Sequence, residues 1–267
     1  MSAPRWYALA GPAYLAALLA VDTQAGLHWQ LVLGGATWLL LIAALRPLPP
    51  LARAQALAVV AFATVGEVTG SLVWGVYRYR LHNLPLFIPP AHGIVYLGGV
   101  ALVGVVRTRW LVGTAAAGAI GWGLAGLTVL PRLDVAGAVG VPLLVLFLWR
   151  SRSRAVYAAV FLVVAALELY GTSIGTWRWA VRLPGLGIAD GNPPSGVASG
   201  YVWFDVMALF VAPWLVYAAG RLKPKLATRA SGAFRTSSRR IEPSGMISAS
   251  GASSSPSSAR TETVTIP

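Results

Sequence analysis

The sequence predicts an all-α fold, a polytopic transmembrane bundle of about eight helices built as two parallel four-helix repeats. Three observations carry that prediction. Of 267 residues, 57% are apolar and 11% charged, and the mean hydropathy is +0.68, whereas soluble domains carry about 25% charged residues. Apolar runs recur along the chain at close to the roughly 20 residues that cross a bilayer as a helix. A motif of acid, glycines, aromatics and arginine occurs twice, its glutamates Glu67 and Glu168 lying 101 positions apart.

In chain order the apolar runs predict helices at 7–22, 27–45, 53–77 and 91–106, then at 110–130, 134–149, 155–177 and 194–219. The first and sixth are the shortest, and counts of six or seven spans also fit the pattern. Arg5 followed by an apolar run resembles a signal peptide, but no small-residue cleavage site leads into a soluble domain, so the run is read as the first span. Arg46 and Arg53 fall between the second and third helices, Arg107 and Arg109 between the fourth and fifth, and Arg150, Arg152 and Arg154 between the sixth and seventh. The positive-inside rule then puts both termini in the cytoplasm of a protein embedded in the plasma (inner) membrane. Arg132 and the pairs Arg78/Arg80 and Arg178/Arg182 remain on the other side, against that trend. The expected organisation is a bundle over 1–220, with repeats at about 1–106 and 107–220, and a basic, disordered cytoplasmic tail over 221–267. The tail is rich in Ser, Ala, Arg and Pro, as in "SASGASSSPSSARTE", a composition too polar to build a core.

Composition also excludes several function classes. The net charge of +13 divides into +7 over 1–220 and +6 over 221–267, a balance that suits loops facing anionic membrane lipid. No nucleic-acid-binding signature is present, so no nucleic-acid partner is expected. With no cysteine in the chain, disulfides, thiolate metal sites and cysteine nucleophiles are excluded. The two lysines, Lys223 and Lys225, follow the last apolar run, which rules out a Schiff-base cofactor inside the bundle. No P-loop and no HExxH occurs. Neither a metal nor a cofactor is expected, and the oligomeric state is left open.

The repeated motif carries the functional reading. Glu67, Gly70, Gly75, Tyr77, Arg78, Tyr79, Pro89, Pro90 and Gly93 align with Glu168, Gly171, Gly175, Trp177, Arg178, Trp179, Pro193, Pro194 and Gly196, with a slip of one residue before the second glycine. Four helices per copy is an even number, so the two copies insert in the same direction and both motifs meet the same, non-cytoplasmic side. Helical spacing puts Glu67, Gly70 and Trp74 on one face, and Glu168, Gly171 and Gly175 on another. The glycines are expected to let a helix or ligand come close, and the proline pairs to sit in the first turns of the fourth and eighth helices. Gly113, Ala117 and Gly121 form a small-residue stripe read as helix packing.

A carboxylic acid in hydrocarbon either pairs with a cation or holds its proton. Glu67, Glu168 and Asp205 are therefore the catalytic acid–base candidates. The substrate-binding candidates are Trp74, Tyr77, Arg78, Tyr79, His92, Trp177, Arg178, Trp179, Asn192 and Tyr201, whose aromatic faces would stabilise a developing cation and whose arginines would grip an anionic group. Such a set suits acid-catalysed hydration, cyclisation or isomerisation of an isoprenoid alkene. The partners expected are a lipophilic small-molecule substrate and membrane lipid. A proton-coupled transporter or flippase of a lipid or small amphiphile would use the same acids. A non-catalytic scaffold would hold them as Glu–Arg ion pairs beneath an ordinary aromatic belt.

The string from Glu67 through Gly70, Trp74, Gly75 and Tyr77 to Tyr79, followed by a proline-bearing loop, resembles the membrane carotenoid-biosynthesis proteins of the bisanhydrobacterioruberin hydratase type. The resemblance spans about 25 residues per copy. It implies a polytopic enzyme that adds water to a polyene end group.

Overall fold

The computed structural model describes residues 3–235. Among them are eight α-helices: α1 (Tyr7–Asp22), α2 (Leu27–Leu45), α3 (Pro50–Glu67), α4 (Ile88–Val103), α5 (Thr108–Thr128), α6 (Val135–Arg150), α7 (Arg154–Ser173) and α8 (Val197–Arg235). Five are long and apolar enough to cross a membrane: α2, α3 with its continuation to Trp74, α5, α7 and the Val197–Arg221 part of α8. These mark the chain as a membrane-embedded helical protein. The other three, α1, α4 and α6, are apolar but have only 16 residues each. Contacts divide the chain into the units Met1–Arg221 and Leu222–Pro267. Helix α8 is described to Arg235, within the segment expected as the tail; positions 236–267 lie outside the described residues.

Helix ends follow local chemistry. Pro50 opens α3, and Pro89 and Pro90 lie in the first turn of α4, where a missing N–H costs little. The second proline pair behaves otherwise: Pro193 and Pro194 precede α8, and the Asn192–Pro193 peptide is cis. Asp134 caps α6 by accepting the Gly137 N–H.

The core sits around α4, which packs against α1, α2, α3 and α7. A helix apolar all round belongs in such a central place, and α4 is buried almost continuously from His92 to Ala101. Glycines set the approach: a Cβ on Gly93 would lie 2.9 Å from the Leu41 and Val60 side chains, and one on Gly99 would lie 2.6 Å from Val160. Leu9, Trp29, Leu39, Val139, Trp149 and Phe210 point outward and are exposed, which suits a hydrocarbon surround. The stripe on α5 does not serve packing within the described chain. Gly113 and Gly121 face open space, and α5 buries Leu111, Ala115, Ala119 and Gly123 instead.

The segment expected to finish the third helix changes character. After Glu67 the chain runs as a π-helix through Val68–Trp74, reverses at Gly75 with φ +77°, and enters strand β1 (Tyr77–Tyr79). The second copy turns at Gly175, φ +80°, and enters strand β2 (Trp177–Trp179). Both angles lie in the left-handed region that glycine adopts without steric cost. The two strands pair antiparallel, Tyr77 opposite Trp179, Arg78 opposite Arg178 and Tyr79 opposite Trp177. Matched bonds extend the ribbon at both ends, Arg80 N–H to the Thr176 carbonyl and Ala180 N–H to the Val76 carbonyl, each 2.9 Å.

Candidate active site

The ribbon brings the two motifs together. Alternation along a strand sends Tyr77, Tyr79, Trp177 and Trp179 to one face and Arg78 and Arg178 to the other. On the aromatic face each copy holds its own glutamate. Tyr77 and Tyr79 donate their hydroxyls to Glu67 Oε2, both at 2.6 Å. Trp177 and Trp179 donate their indole N–H groups to Glu168 Oε2, at 2.9 and 3.4 Å. Burial, with Glu67's charge added, pushes the Tyr77 and Tyr79 phenols up, so both remain donors at any working pH.

The E-x-x-G spacing has a steric reason that differs from the expected one. Gly70 lies one turn beyond Glu67, and a Cβ on it would come within 2.9 Å of the Tyr77 ring. At Gly171 a Cβ would overlap the Trp177 ring. Each glycine thus makes room for an aromatic of its own copy to lie across the helix and reach the carboxylate, not for another helix. The one-residue slip also has a structural counterpart. Glu67 precedes Tyr77 by ten positions and Glu168 precedes Trp177 by nine, and the π-helical stretch takes up the extra residue, since its wider turn holds more residues than an α turn.

His92, on α4, faces Glu67. Its Nε2 lies 3.3 Å from Glu67 Oε1, and its Nδ1 lies 2.8 Å from the Ile88 carbonyl oxygen. A carbonyl only accepts, so Nδ1 carries a proton. Nε2 and Oε1 are in close polar contact, without the geometry of a hydrogen bond. The Tyr201 ring stacks on the imidazole at 5.3 Å and 16°. Its hydroxyl is in electrostatic range of both glutamates.

Both carboxyl groups line one cavity of about 490 Å³. Its walls are mostly apolar: Leu15, Leu18 and Leu19 of α1, Val95 of α4, Val164 of α7 and Phe204 of α8, with Trp74 at its edge. That volume lies within the usual range for ligand sites.

No family model, no curated protein and no solved structure matches the chain.

Of the residues named from sequence, Glu67, Glu168, Trp74, Tyr77, Tyr79, His92, Trp177, Trp179 and Tyr201 all line this cavity. Arg78 and Arg178 lie on the ribbon's other face and line a separate pocket. Neither pairs with a glutamate. Arg80 reaches Asp22, with 3.9 Å between charged atoms, and donates to the Asp22 and Ala25 carbonyls. Asn192 holds the ribbon in place, its Oδ1 accepting the Trp179 N–H at 2.9 Å. Asp205 is buried but does not line the cavity; it lies in electrostatic range of Tyr96 and Tyr157.

Sequence reasoning missed Asp134. Its Oδ1 accepts the N–H groups of Gly137 and Gly191 at 2.9 and 3.0 Å, and its Oδ2 accepts that of Ser195 at 2.6 Å. One carboxylate thereby pins the loop from β2 to α8. The available signal was an aspartate directly before an apolar run, a typical N-cap. Asp190 sits in the same loop, and burial together with the nearby Asp134 charge pushes its carboxyl up to about 7.

Proposed function

We propose that the chain is an integral-membrane enzyme performing acid–base chemistry on the alkene end of a lipophilic, isoprenoid-type substrate. The observation that carries this reading is a mostly apolar cavity lined by two buried carboxyl groups and an imidazole. In this reading the chain crosses the membrane eight times as two parallel repeats, and the cavity opens near the non-cytoplasmic side. The matched Glu–aromatic hydrogen bonds and the antiparallel ribbon support such a pseudo-twofold arrangement.

The two acids are dressed differently, and their roles follow from that. Glu67 is met by two phenols and by His92. Glu168 has its Oε2 occupied by two indoles, while Oε1 meets no donor among the described residues, and the residue lines the cavity. Glu168 is the proton donor to the alkene: the π electrons take its proton, a C–H bond forms, and a tertiary cation remains beside the Tyr77, Trp177 and Trp179 rings, which stabilise it. Water adds to that cation, and the Glu67–His92 pair takes the water's proton. Tyr201, in electrostatic range of both acids, returns the proton to Glu168. The result is net addition of one water, the reaction class implied by the resemblance to the carotenoid hydratase type.

The test is mass spectrometry of organic extracts from the host carrying the wild type, a deletion, or Glu168→Gln with confirmed membrane expression. A prenyl-lipid or pigment precursor accumulating equally in the deletion and the variant is the expected result. Identical extracts from all three would sink the enzyme reading, and proton-gradient dependence of substrate movement in vesicles would replace it with a transporter.

A further inference from the structure

The ribbon's second face holds a feature that acid–base chemistry in the cavity does not use. Arg78 and Arg178 occupy directly opposed positions. The bonds at 76–180 and 80–176 make 78–178 a hydrogen-bonded pair as well, since such pairs alternate along an antiparallel ladder. In that geometry the Cα atoms are about 5.5 Å apart and both side chains rise from the same face. Like charges directly opposed destabilise a strand pair. Among the described residues no carboxylate and no carbonyl accepts from either guanidinium. Asp22 is engaged with Gln30 and Arg80, and Asp134 with three backbone N–H groups, while Asp190 Oδ2 is buried and accepts from neither arginine.

Both side chains line one pocket of about 580 Å³, together with Arg80, His82, Gly75 and Gly175. Its floor is the ribbon backbone. Two planar guanidinium groups lining one pocket can match the oxygens of a tetrahedral phosphate, each able to donate to two of them. Nearby Arg132 adds to the positive field at Arg178, and Arg182 is tied down by the Gly187 carbonyl at 2.7 Å.

We propose that Arg78 and Arg178 form a two-armed binding site for a phosphate mono- or diester on the face of the ribbon away from the cavity. The phosphate bridges the two halves of the molecule and removes the repulsion between the arginines. It comes either from solution or from the headgroup of an anionic phospholipid.

The experiment is thermal unfolding of the purified full-length protein, in neutral detergent with inorganic phosphate against equal ionic strength of chloride, and in nanodiscs of phosphatidylglycerol against phosphatidylcholine. At ten times the dissociation constant a bound anion raises the melting temperature by roughly 3–5 °C. That shift is expected in the wild type and in the control Arg107→Gln/Arg109→Gln, whose positions are exposed, just before and within the first turn of α5. It is expected to vanish in Arg78→Gln/Arg178→Gln. A shift with inorganic phosphate assigns a soluble ligand, and a shift in phosphatidylglycerol nanodiscs alone assigns the lipid headgroup. Arg78→Glu gives an independent reading, because Glu opposite Arg178 replaces the phosphate: its melting temperature without anion exceeds the wild type's and no longer responds. Equal responses in wild type and the double variant, or no wild-type response to either probe, overturn the site.

Discussion

The smallest residues in the motif decide most of its geometry. Gly171→Ala puts a methyl group into the Trp177 ring, so the ring must move off Glu168. Overpacking of this kind costs about 1–3 kcal/mol, and the expected result is a lower melting temperature together with a changed tryptophan emission. Gly75→Ala meets nothing within 4 Å, and its cost of about 1–2 kcal/mol is conformational alone. A melt of both variants separates the two causes, because only the first alters the aromatic environment. Asp190 provides a pH test. Its folded-state value of about 7 lies above the ordinary carboxylate value of about 4, so the protonated form favours folding. That contribution is complete below about pH 4 and is lost as the pH rises through about 7. Asp190→Asn should therefore flatten the fall in melting temperature between pH 5 and pH 8; an unchanged slope refutes the assignment. The residue scale is also where sequence reading was least complete. The aromatic–Arg–aromatic triplets "YRY" and "WRW" already carried a period of two, which splits rings from guanidiniums. Sequence reading grouped rings and guanidiniums together as substrate-binding candidates without using that period.

At the scale of elements the eight helices were legible, because apolar runs bounded by arginines, prolines and glycines admit few other readings in a chain this poor in charge. α1 and α2 begin and end at the expected positions, 7–22 and 27–45. The fourth was expected at 91–106 and spans Ile88–Val103, with the Pro89–Pro90 pair in its first turn as expected. The π-helix was visible only as a misaligned glycine, and the three-residue strands are too short to announce themselves. They exist because each finds a partner a hundred residues away. Packing at α4 supplies the element-scale prediction. Gly99→Val would push a branched side chain against Val160, whose backbone nitrogen lies only 3.1 Å from the Cβ position. Backbone cannot rotate aside as a side chain can, so α4 and α7 must separate. The expected result is a large loss of folded yield, whereas Gly113→Val on open α5 leaves yield unchanged.

For the molecule as a whole, sidedness is the property that organises every functional claim. A chain with no native cysteine lets it be read with single introduced thiols. With both termini cytoplasmic, a membrane-impermeant maleimide added to intact cells should label Arg78→Cys and Arg178→Cys. Arg46→Cys, Arg107→Cys and Arg152→Cys should react only after lysis. Labelling of all five from outside, or the reverse pattern, would reject the proposed orientation. The count of arginines per loop predicted this polarity. It could not reveal that the two arginine pairs standing against that trend have separate uses: Arg78 and Arg178 stand over the ribbon, while Arg80 and Arg182 are spent on backbone carbonyls.

The ribbon that joins the two motifs also imposes a timetable on synthesis. β1 and β2 lie a hundred residues apart, and ribosomes add about 5–20 residues per second. For roughly 5–20 seconds the first strand is therefore in place with its edge unpaired. At that point the other wall of the cavity has not yet been made. Closure awaits Trp177, Trp179 and then Tyr201, among the last side chains of the bundle to leave the ribosome. A nascent chain halted at residue 150 would expose that strand edge to any extended segment nearby, and the cell would have to release the chain or shield that edge.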